Sequence, residues 1–339
     1  MLFSEIRFNY SAKLVRVLLA SFLLLFISCS SENETTSISV ATGSASTGGA
    51  VELEENGLSV VTDLEWPLHN FDLYGSRFVP TDQITPDNVA TLTPRWLFQH
   101  GVIDGVSNQT TPVIVDEVMY LTDSRGSVYA VNARDGHLIW SYDVTRLLGG
   151  GRREGYIFRH RGVVYDEGVI YTAAGSFMFA LDAETGEPLE SFGEGGQAPV
   201  ILDVLHQRDP TIETAISVGY WFTTAPQIHN DVIYIGTTRS ESHIAGGYVL
   251  AIDDQTGEVL WHFNTIPQDE NDQGWEIAGP TWVGGERNGG GIWETPSIDP
   301  ELGMVYFAVG NPFGDSLSLI HISEPTRPRL ISYAVFCLK

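Results

Sequence analysis

A strand–turn–strand pattern that occurs three times limits what this 339-residue chain can fold into. In each copy an apolar run leads through an Asp- or Asn-containing turn to a second run, and a glycine stands at the same place in the turn. A tight turn needs a positive φ there, which glycine adopts without steric cost. The copies are SVYAVNARDGHLIW (127–140), FMFALDAETGEPLE (177–190) and YVLAIDDQTGEVLW (248–261), with Gly136, Gly186 and Gly257 in the turns.

Each copy follows a further hairpin, so the repeating unit contains four strands. The hairpins are PVIVDEVMYLTD, GVVYDEGVIYTA and PQIHNDVIYIGT. The turn glycines stand 50 residues apart from Gly136 to Gly186 and 71 apart from Gly186 to Gly257. Four-stranded units at such intervals predict the blades of a β-propeller with one insertion. A β-sandwich is the structural competitor, but it would not repeat the turn so faithfully.

Aromatic residues near the turns are expected to pack between neighbouring blades. Trp140 and Trp261 stand four residues after their glycines. In the second copy Glu190 takes that place, with Phe192 nearby. A flat ring at this position would dock against the next blade.

The composition favours an all-β repeat protein and argues against two kinds of partner. The chain has 35 Gly, 8 Trp, 13 Tyr and 16 Phe, which is typical of sheets rather than helices. Its net charge is −25, and its only lysines are Lys13 and Lys339, near the two ends. So acidic a body is a poor partner for nucleic acid or an anionic membrane surface.

Residues 1–28 have the pattern of a signal peptide. Basic residues precede the apolar run Val17–Ile27, which is too short to span a bilayer. The run leads into FISCS, which resembles a bacterial lipobox whose cysteine, here Cys29, is lipidated after cleavage; Phe26 departs from its usually aliphatic position. The alternative is an ordinary secretory signal. Residues 29–60 are rich in Ser, Thr, Gly and Glu and predict a flexible tether. We therefore expect a periplasmic protein that touches the membrane only through its lipid.

The end of the chain shares no pattern with the repeats. Leu317–Arg327 and Ile331–Lys339 resemble two constant pieces of a translated sequencing-library adapter, separated by a variable index. We therefore expect a propeller segment over 61–315 and a non-native tail over 316–339. The natural sequence would then continue past Asp315.

Two hairpins end in side chains that carry oxygen. The segment from Thr223 ends at Glu241, and the segment from Trp293 ends at Asn311. A carboxylate and a carboxamide at matching ends of consecutive hairpins can converge on one hard cation. Calcium accepts such oxygens in a loose geometry, so it is the natural candidate.

At these residues the chain resembles the quinoprotein alcohol and methanol dehydrogenases. The resemblance rests on the blade signature, here AIDDQTGEVLW, and covers Trp66 to Asp315. It implies an eight-bladed propeller that binds pyrroloquinoline quinone (PQQ) and calcium, of which this chain holds about the first half.

The resemblance also implies roles for particular residues. It implies cofactor contacts in HRG, TTAP and GTTRSE. In GGGIWETP it implies the tryptophan on which the quinone rests. In GTTRSE and GNP it implies calcium ligands. The cofactor residues are then Arg161, Thr223, Thr238, Glu241 and Trp293, and the metal ligands are Glu241 and Asn311.

Three departures from the family pattern bear on function. In SNQTTP, Gln109 stands where a glutamate commonly contacts PQQ; an amide can still hydrogen-bond a quinone carboxyl group. Gly155 and Tyr156 stand where the family has a vicinal cysteine pair. The catalytic aspartate of the family lies on a later blade, so no catalytic residue is named here.

Two functions remain open at this point. The first is a PQQ- and calcium-dependent dehydrogenase that oxidises an alcohol or a sugar by hydride transfer and passes electrons to a periplasmic acceptor such as a cytochrome c. The alternative is a non-catalytic outer-membrane lipoprotein propeller that acts as an assembly scaffold. In either case we expect the chain as it stands to be inactive and aggregation-prone, because a half propeller leaves its end blades unpaired.

Overall fold

The structure is a computed structural model that describes residues 65–102, 108–144, 160–237, 244–281 and 287–310. These residues all lie within one unit, Ser46–Lys339. No helix among them is long and apolar enough to span a bilayer. The predicted signal peptide, tether, Cys29 and C-terminal tail lie outside the described residues and stay predictions.

Three four-stranded sheets and a hairpin make up this part of the chain, and every neighbouring pair of strands is antiparallel. The strands are β1 (Val113–Val115), β2 (Val118–Thr122), β3 (Val128–Asn132) and β4 (Leu138–Tyr142); β5 (Val164–Asp166), β6 (Val169–Ala174), β7 (Phe177–Asp182) and β8 (Gln197–Ala198); β9 (Gln227–His229), β10 (Val232–Gly236), β11 (Tyr248–Asp253) and β12 (Val259–Asn264); and β13 (Ser297–Asp299) with β14 (Met304–Tyr306). The predicted all-β propeller with four strands to a blade is confirmed.

The second sheet departs from the predicted pattern in its outermost strand. The sequence pattern predicts that strand directly after Gly186, but the structure has only an isolated bridge there, between Leu181 and Pro188. The fourth strand, β8, comes later and pairs with Met178 and Phe179. Proline has no N–H to donate to a ladder, so Pro188 prevents a regular strand at the predicted place.

Short helices lie before the first sheet and between the later ones along the chain. They are α1 (Val200–His206), α2 (Trp275–Ala278) and the 3₁₀ turns Val89–Thr91, Ala215–Val218 and Gly279–Thr281. Helix α1 follows β8 and accounts for the longer interval between the second and third turn glycines. It buries Val200, Ile201, Val204 and Leu205 in the core between the second and third sheets.

Aromatic rings pack on the turn glycines of neighbouring sheets, as predicted. The Trp140 indole covers Gly186 (φ +74°), where an added Cβ would lie 2.5 Å from the ring. Its Nε1–H donates to the Ala183 carbonyl oxygen at 2.9 Å. Trp96, which the repeat pattern did not single out, makes the same contact with Gly136. Phe192 takes this role against Gly257, so a phenyl ring replaces the indole between the second and third sheets.

The first strands of the sheets surround a common axis. Strand β1 contacts β5, and β5 contacts β9. The segment before the first sheet runs along this inner side: Trp66 pairs with Ile114, and the Leu73 carbonyl accepts from the Ile298 N–H at 2.7 Å. We call the end at which the first strands begin the top end, and the opposite end, with the turns after Asp182 and Asp253, the bottom end.

Candidate functional site

Four short segments meet at the top end because each one leads into the first strand of a sheet. They are TTP (110–112), HRG (160–162), TTAP (223–226) and WETP (293–296). Three of these contain residues that the sequence predicts to bind a cofactor. The topology therefore brings together motifs that are far apart in the chain.

Arg161 joins two of the other predicted residues. Its Nη1 donates to the Thr223 carbonyl oxygen at 2.5 Å, and its Cζ lies 5.1 Å from the centroid of the Trp293 ring. A guanidinium above an indole face is attracted by the ring's quadrupole. Trp293 is 37% exposed, so part of its ring is accessible.

Backbone bonds fix these segments to one another. The Thr111 N–H donates to the Arg161 carbonyl at 2.8 Å, and the Thr295 hydroxyl donates to the Ala225 carbonyl at 2.9 Å. Glycine is required beside Arg161: Gly162 has φ +133°, and a Cβ there would lie 2.8 Å from the Thr111 carbonyl oxygen. The site is thus built on paired backbone rather than on free loops.

Buried polar atoms without hydrogen-bond partners occur near this site. Thr223 is 1% exposed, and its Oγ1 has no partner among the described residues. The same holds for both amide atoms of Gln227, the first residue of β9. Buried polar groups are nearly always paired in native proteins, with protein, water or ligand. These atoms are therefore available to a ligand or to water.

His69 belongs to the same region, and the sequence analysis did not single it out. The side chain is 2% exposed. Burial and, to a lesser extent, the charges of Arg77 and Arg161 lower the pKa of its imidazole to about 4. The ring is therefore neutral near pH 7. No motif marks a lone histidine, so only its position in the fold reveals it.

Gln109 lies at the top end, beside the TTP segment, and its side chain is exposed. The structure therefore leaves it accessible to a ligand but does not join it to Arg161, Thr223 and Trp293. Its neighbour Asn108 donates to the Thr122 carbonyl at 3.1 Å.

The predicted calcium ligands Glu241 and Asn311 lie outside the described residues, as do Thr238, Gly155 and Tyr156. Among the residues that the structure does describe, no three His, Cys, Asp or Glu side chains cluster as a metal site requires. The residues just before the predicted segments are placed: the Thr237 carbonyl accepts from the Ile292 N–H at 2.8 Å, and the Gly310 N–H donates to Gly291 at 2.9 Å. Both therefore bond the segment that leads into Trp293.

The fold is a propeller in which Arg161, Thr223 and Trp293, three of the predicted cofactor residues, lie together at one end of the axis. The family model described as "Glucose/ethanol/alcohol dehydrogenase, beta-propeller domain" matches residues 66–320. The chain therefore belongs to this family of PQQ β-propellers.

Individual relatives agree with this family. The chain is 34% identical to the quinohemoprotein alcohol dehydrogenase ADH-IIG of Pseudomonas putida, over 69% of this chain and 31% of the relative. It is 30% identical to the dehydrogenase subunit of the alcohol dehydrogenase (quinone) of Gluconacetobacter polyoxogenes, over 81% and 36%. The crystal structure of the quinohemoprotein alcohol dehydrogenase of Comamonas testosteroni superposes with a TM-score of 0.59 at 28% identity, over 73% and 35%. The chain thus spans about a third of the length of these relatives.

Proposed function

We propose that this chain is the cofactor-binding part of a PQQ- and calcium-dependent dehydrogenase that oxidises alcohols or sugars. The observation that carries the proposal is the placement of the Arg161 guanidinium between the Thr223 carbonyl and the accessible indole of Trp293. The named relatives are quinone-dependent alcohol dehydrogenases, which supports the same reading.

The described residues fit the cofactor. A planar quinone with three carboxylates needs an aromatic face. The Trp293 indole would offer one of its two faces, since the Arg161 guanidinium lies over the other. The quinone also needs donors for its carboxylates, which the Arg161 guanidinium and the unpaired Thr223 hydroxyl can supply. Gln109, exposed beside them, is a further candidate contact. When bound, PQQ would supply the quinone carbonyl carbon that accepts hydride from the substrate.

The remaining parts of the proposal come from the sequence. Glu241 and Asn311 would hold calcium, and Thr238 would contact PQQ. Bonds from their described neighbours to the segment before Trp293 support this placement. The signal-like N-terminus and Cys29 support a periplasmic, lipid-tethered protein, from which a cytochrome c would take the electrons.

The test is a titration with PQQ in the presence of calcium, in which tryptophan emission reports binding. It uses the full gene product, whose extent is established by sequencing the locus again. We expect Trp293→Phe to remove most of the quenching. Arg161→Met should raise the Kd for PQQ at least about tenfold, because a charge-assisted bond to a carboxylate is lost. Arg134→Met is the matched control, since Arg134 is exposed and pairs with Glu117 in the first sheet.

An unchanged Kd in Arg161→Met would overturn the proposed site. If the site is supported, dye-linked oxidation assays across alcohols and sugars identify the substrate class. Binding of PQQ without oxidation of any alcohol or sugar would contradict the dehydrogenase activity but not the site.

A further inference from the structure

A cleft of about 390 Å³ lies at the bottom end, between the first and second sheets. Three aromatic side chains and three carboxylates line it. They are Tyr120, Trp140 and Tyr165, and Asp116, Asp182 and Glu184. The described residues that line the cleft include no Lys, Arg or His. None of them belongs to the site proposed above, which lies at the opposite end of the sheets.

The three aromatic rings form one continuous group. The centroid of the Tyr120 ring lies 6.0 Å from that of Trp140 and 6.2 Å from that of Tyr165. The Tyr120 hydroxyl and the Trp140 Nε1–H both donate to the Ala183 carbonyl oxygen, at 3.2 and 2.9 Å. These bonds hold both rings in place and occupy their polar atoms. The two side chains therefore present aromatic surface to the cleft.

The corresponding place between the second and third sheets is built in the same way but is closed. There the Tyr171 hydroxyl makes the bond to the next sheet that Tyr120 makes here, and Phe192 packs on the turn glycine in place of the indole. By strand register, Ile228 stands in β9 where Tyr165 stands in β5. Tyr171, Phe192 and Ile228 are at most 4% exposed. The open aromatic cleft is thus a feature of the first junction and not of the repeat.

The carboxylates give the cleft a negative charge. Hydrogen bonds from Thr185 lower the pKa of Asp182, so its carboxylate is ionised at pH 7. Burial and, to a lesser extent, Tyr165 and the charges of Asp116 and Asp182 raise the pKa of Tyr120 to about 12. The field of these carboxylates therefore reaches the aromatic group. Such a field attracts a cation and repels an anion.

We propose that this cleft binds an organic cation, an alkylammonium or guanidinium group with apolar carbon next to the charge. The quadrupole of an aromatic ring attracts a cation at its face, and the attraction is stronger when the ion is partly removed from water. The carboxylates add charge-assisted contacts. A free amine and a basic side chain of a partner protein present the same chemical group. The proposal does not rest on the proposed cofactor.

The first test compares a cation with an uncharged molecule of similar shape. Tetramethylammonium and tert-butanol are titrated into the full gene product at constant ionic strength, and ligand-observed NMR gives both Kd values. We expect tetramethylammonium to bind at least about tenfold more tightly, because the rings and the carboxylates attract only the ion.

Substitutions then locate the binding in the cleft. Tyr165→Leu should raise the Kd for tetramethylammonium about tenfold, whereas Tyr165→Phe should leave it unchanged because the ring is kept. Asp116→Asn should raise it about threefold, and it changes only an exposed side chain, so it serves also if Tyr165→Leu fails to fold. Tyr74→Leu is the matched control, since Tyr74 is 58% exposed, has three carboxylates acting on it and lies outside the cleft.

The proposal is overturned if tetramethylammonium binds no better than tert-butanol, or if Tyr165→Leu and Tyr74→Leu change the Kd alike. Competition between n-butylammonium and a Gly-Lys-Gly peptide for bound tetramethylammonium identifies the source of the cation. Stronger competition by the peptide supports a basic side chain of a partner protein, and stronger competition by n-butylammonium supports a free amine. A failure of PQQ to bind would contradict the proposed function and leave the cation site unaffected.

Discussion

The two ends of the sheets differ in whether their polar side chains have hydrogen-bond partners. At the bottom end, Asp182 Oδ1 accepts from the backbone N–H groups of Glu184 and Thr185 and from the Thr185 hydroxyl at 2.8–3.1 Å. Asp253 makes the same three bonds with Gln255 and Thr256. At the top end, Thr223, Gln227 and His69 bury polar atoms that have no partner among the described residues.

Under the proposed function, this difference separates an end that stabilises the sheets from an end that binds the cofactor, although Asp254 Oδ1 at the bottom end is also buried without a partner among the described residues. Side chains close in sequence satisfy the bottom turns, and the hydrogen bond from each threonine hydroxyl lowers the pKa of Asp182 and Asp253. Unpaired buried atoms at the top end cost free energy that a bound ligand or water can recover. A site kept ready for a ligand is expected to be less stable without it.

The largest effect should come from the bottom end. Gly186→Ala places a Cβ 2.5 Å from the Trp140 ring at a positive φ, so it combines backbone strain with displacement of the docked indole. We expect the free energy of unfolding to fall by about 3 kcal/mol in urea denaturation. Gly168→Ala is the control, because its φ is +87° with nothing within 4 Å, and it should cost only about 1 kcal/mol. Equal losses would mean that ring docking contributes nothing.

The same substitution at the two ends should act in opposite directions. Thr223→Val removes a buried hydroxyl without a partner, so we expect the cofactor-free protein to be at least as stable as wild type, by up to about 1 kcal/mol. The Kd for PQQ should rise about tenfold at the same time. Urea denaturation and the emission titration measure the two quantities.

The matched control is Thr256→Val. It removes the 2.8 Å bond from the hydroxyl to Asp253 and should lower the free energy of unfolding by about 1 kcal/mol without changing the Kd. A loss of stability in Thr223→Val equal to that in Thr256→Val would contradict the proposed difference between the two ends.

The smallest effect concerns an exception at the bottom end, where acidic side chains crowd between the second and third sheets. Burial and, to a lesser extent, the charges of Glu167, Asp254 and Asp231 raise the pKa of Asp166 to about 6. The folded state then binds more protons than the unfolded state between pH 4 and 6. The charged form of Asp166 destabilises the folded state above its folded pKa. The contribution of Asp166 to the free energy of unfolding should therefore rise as the pH falls from 7 towards 4.

Asp166→Asn should therefore stabilise the protein at pH 7 and have little effect near pH 4. Asp116→Asn provides the comparison, because Asp116 is exposed in the corresponding turn of the first sheet. Thermal unfolding at a series of pH values measures both variants. A pH profile that Asp166→Asn leaves unchanged would show that this carboxyl group does not titrate in the window.

Much of the fold followed from local patterns. The hairpins and the turn glycines depend on residues a few positions apart, and the structure has them where the sequence predicts them. The docking of Trp140 joins two sheets and was predicted from the repeat of the whole unit. The predicted strand directly after Gly186 was wrong, because the repeat pattern does not register that Pro188 lacks the N–H a strand needs. The family resemblance also named Arg161, Thr223 and Trp293, which the structure brings together.

The repeats by themselves determined that this chain forms four-stranded blades, because a turn glycine and alternating apolar residues act over short distances. Only the tertiary structure decided that the Arg161 guanidinium lies on the Trp293 indole and that His69 is buried beside Gly162. Those contacts join segments from different sheets, and their geometry depends on how the first strands pack around the axis. A pattern read along the chain contains no information about that packing.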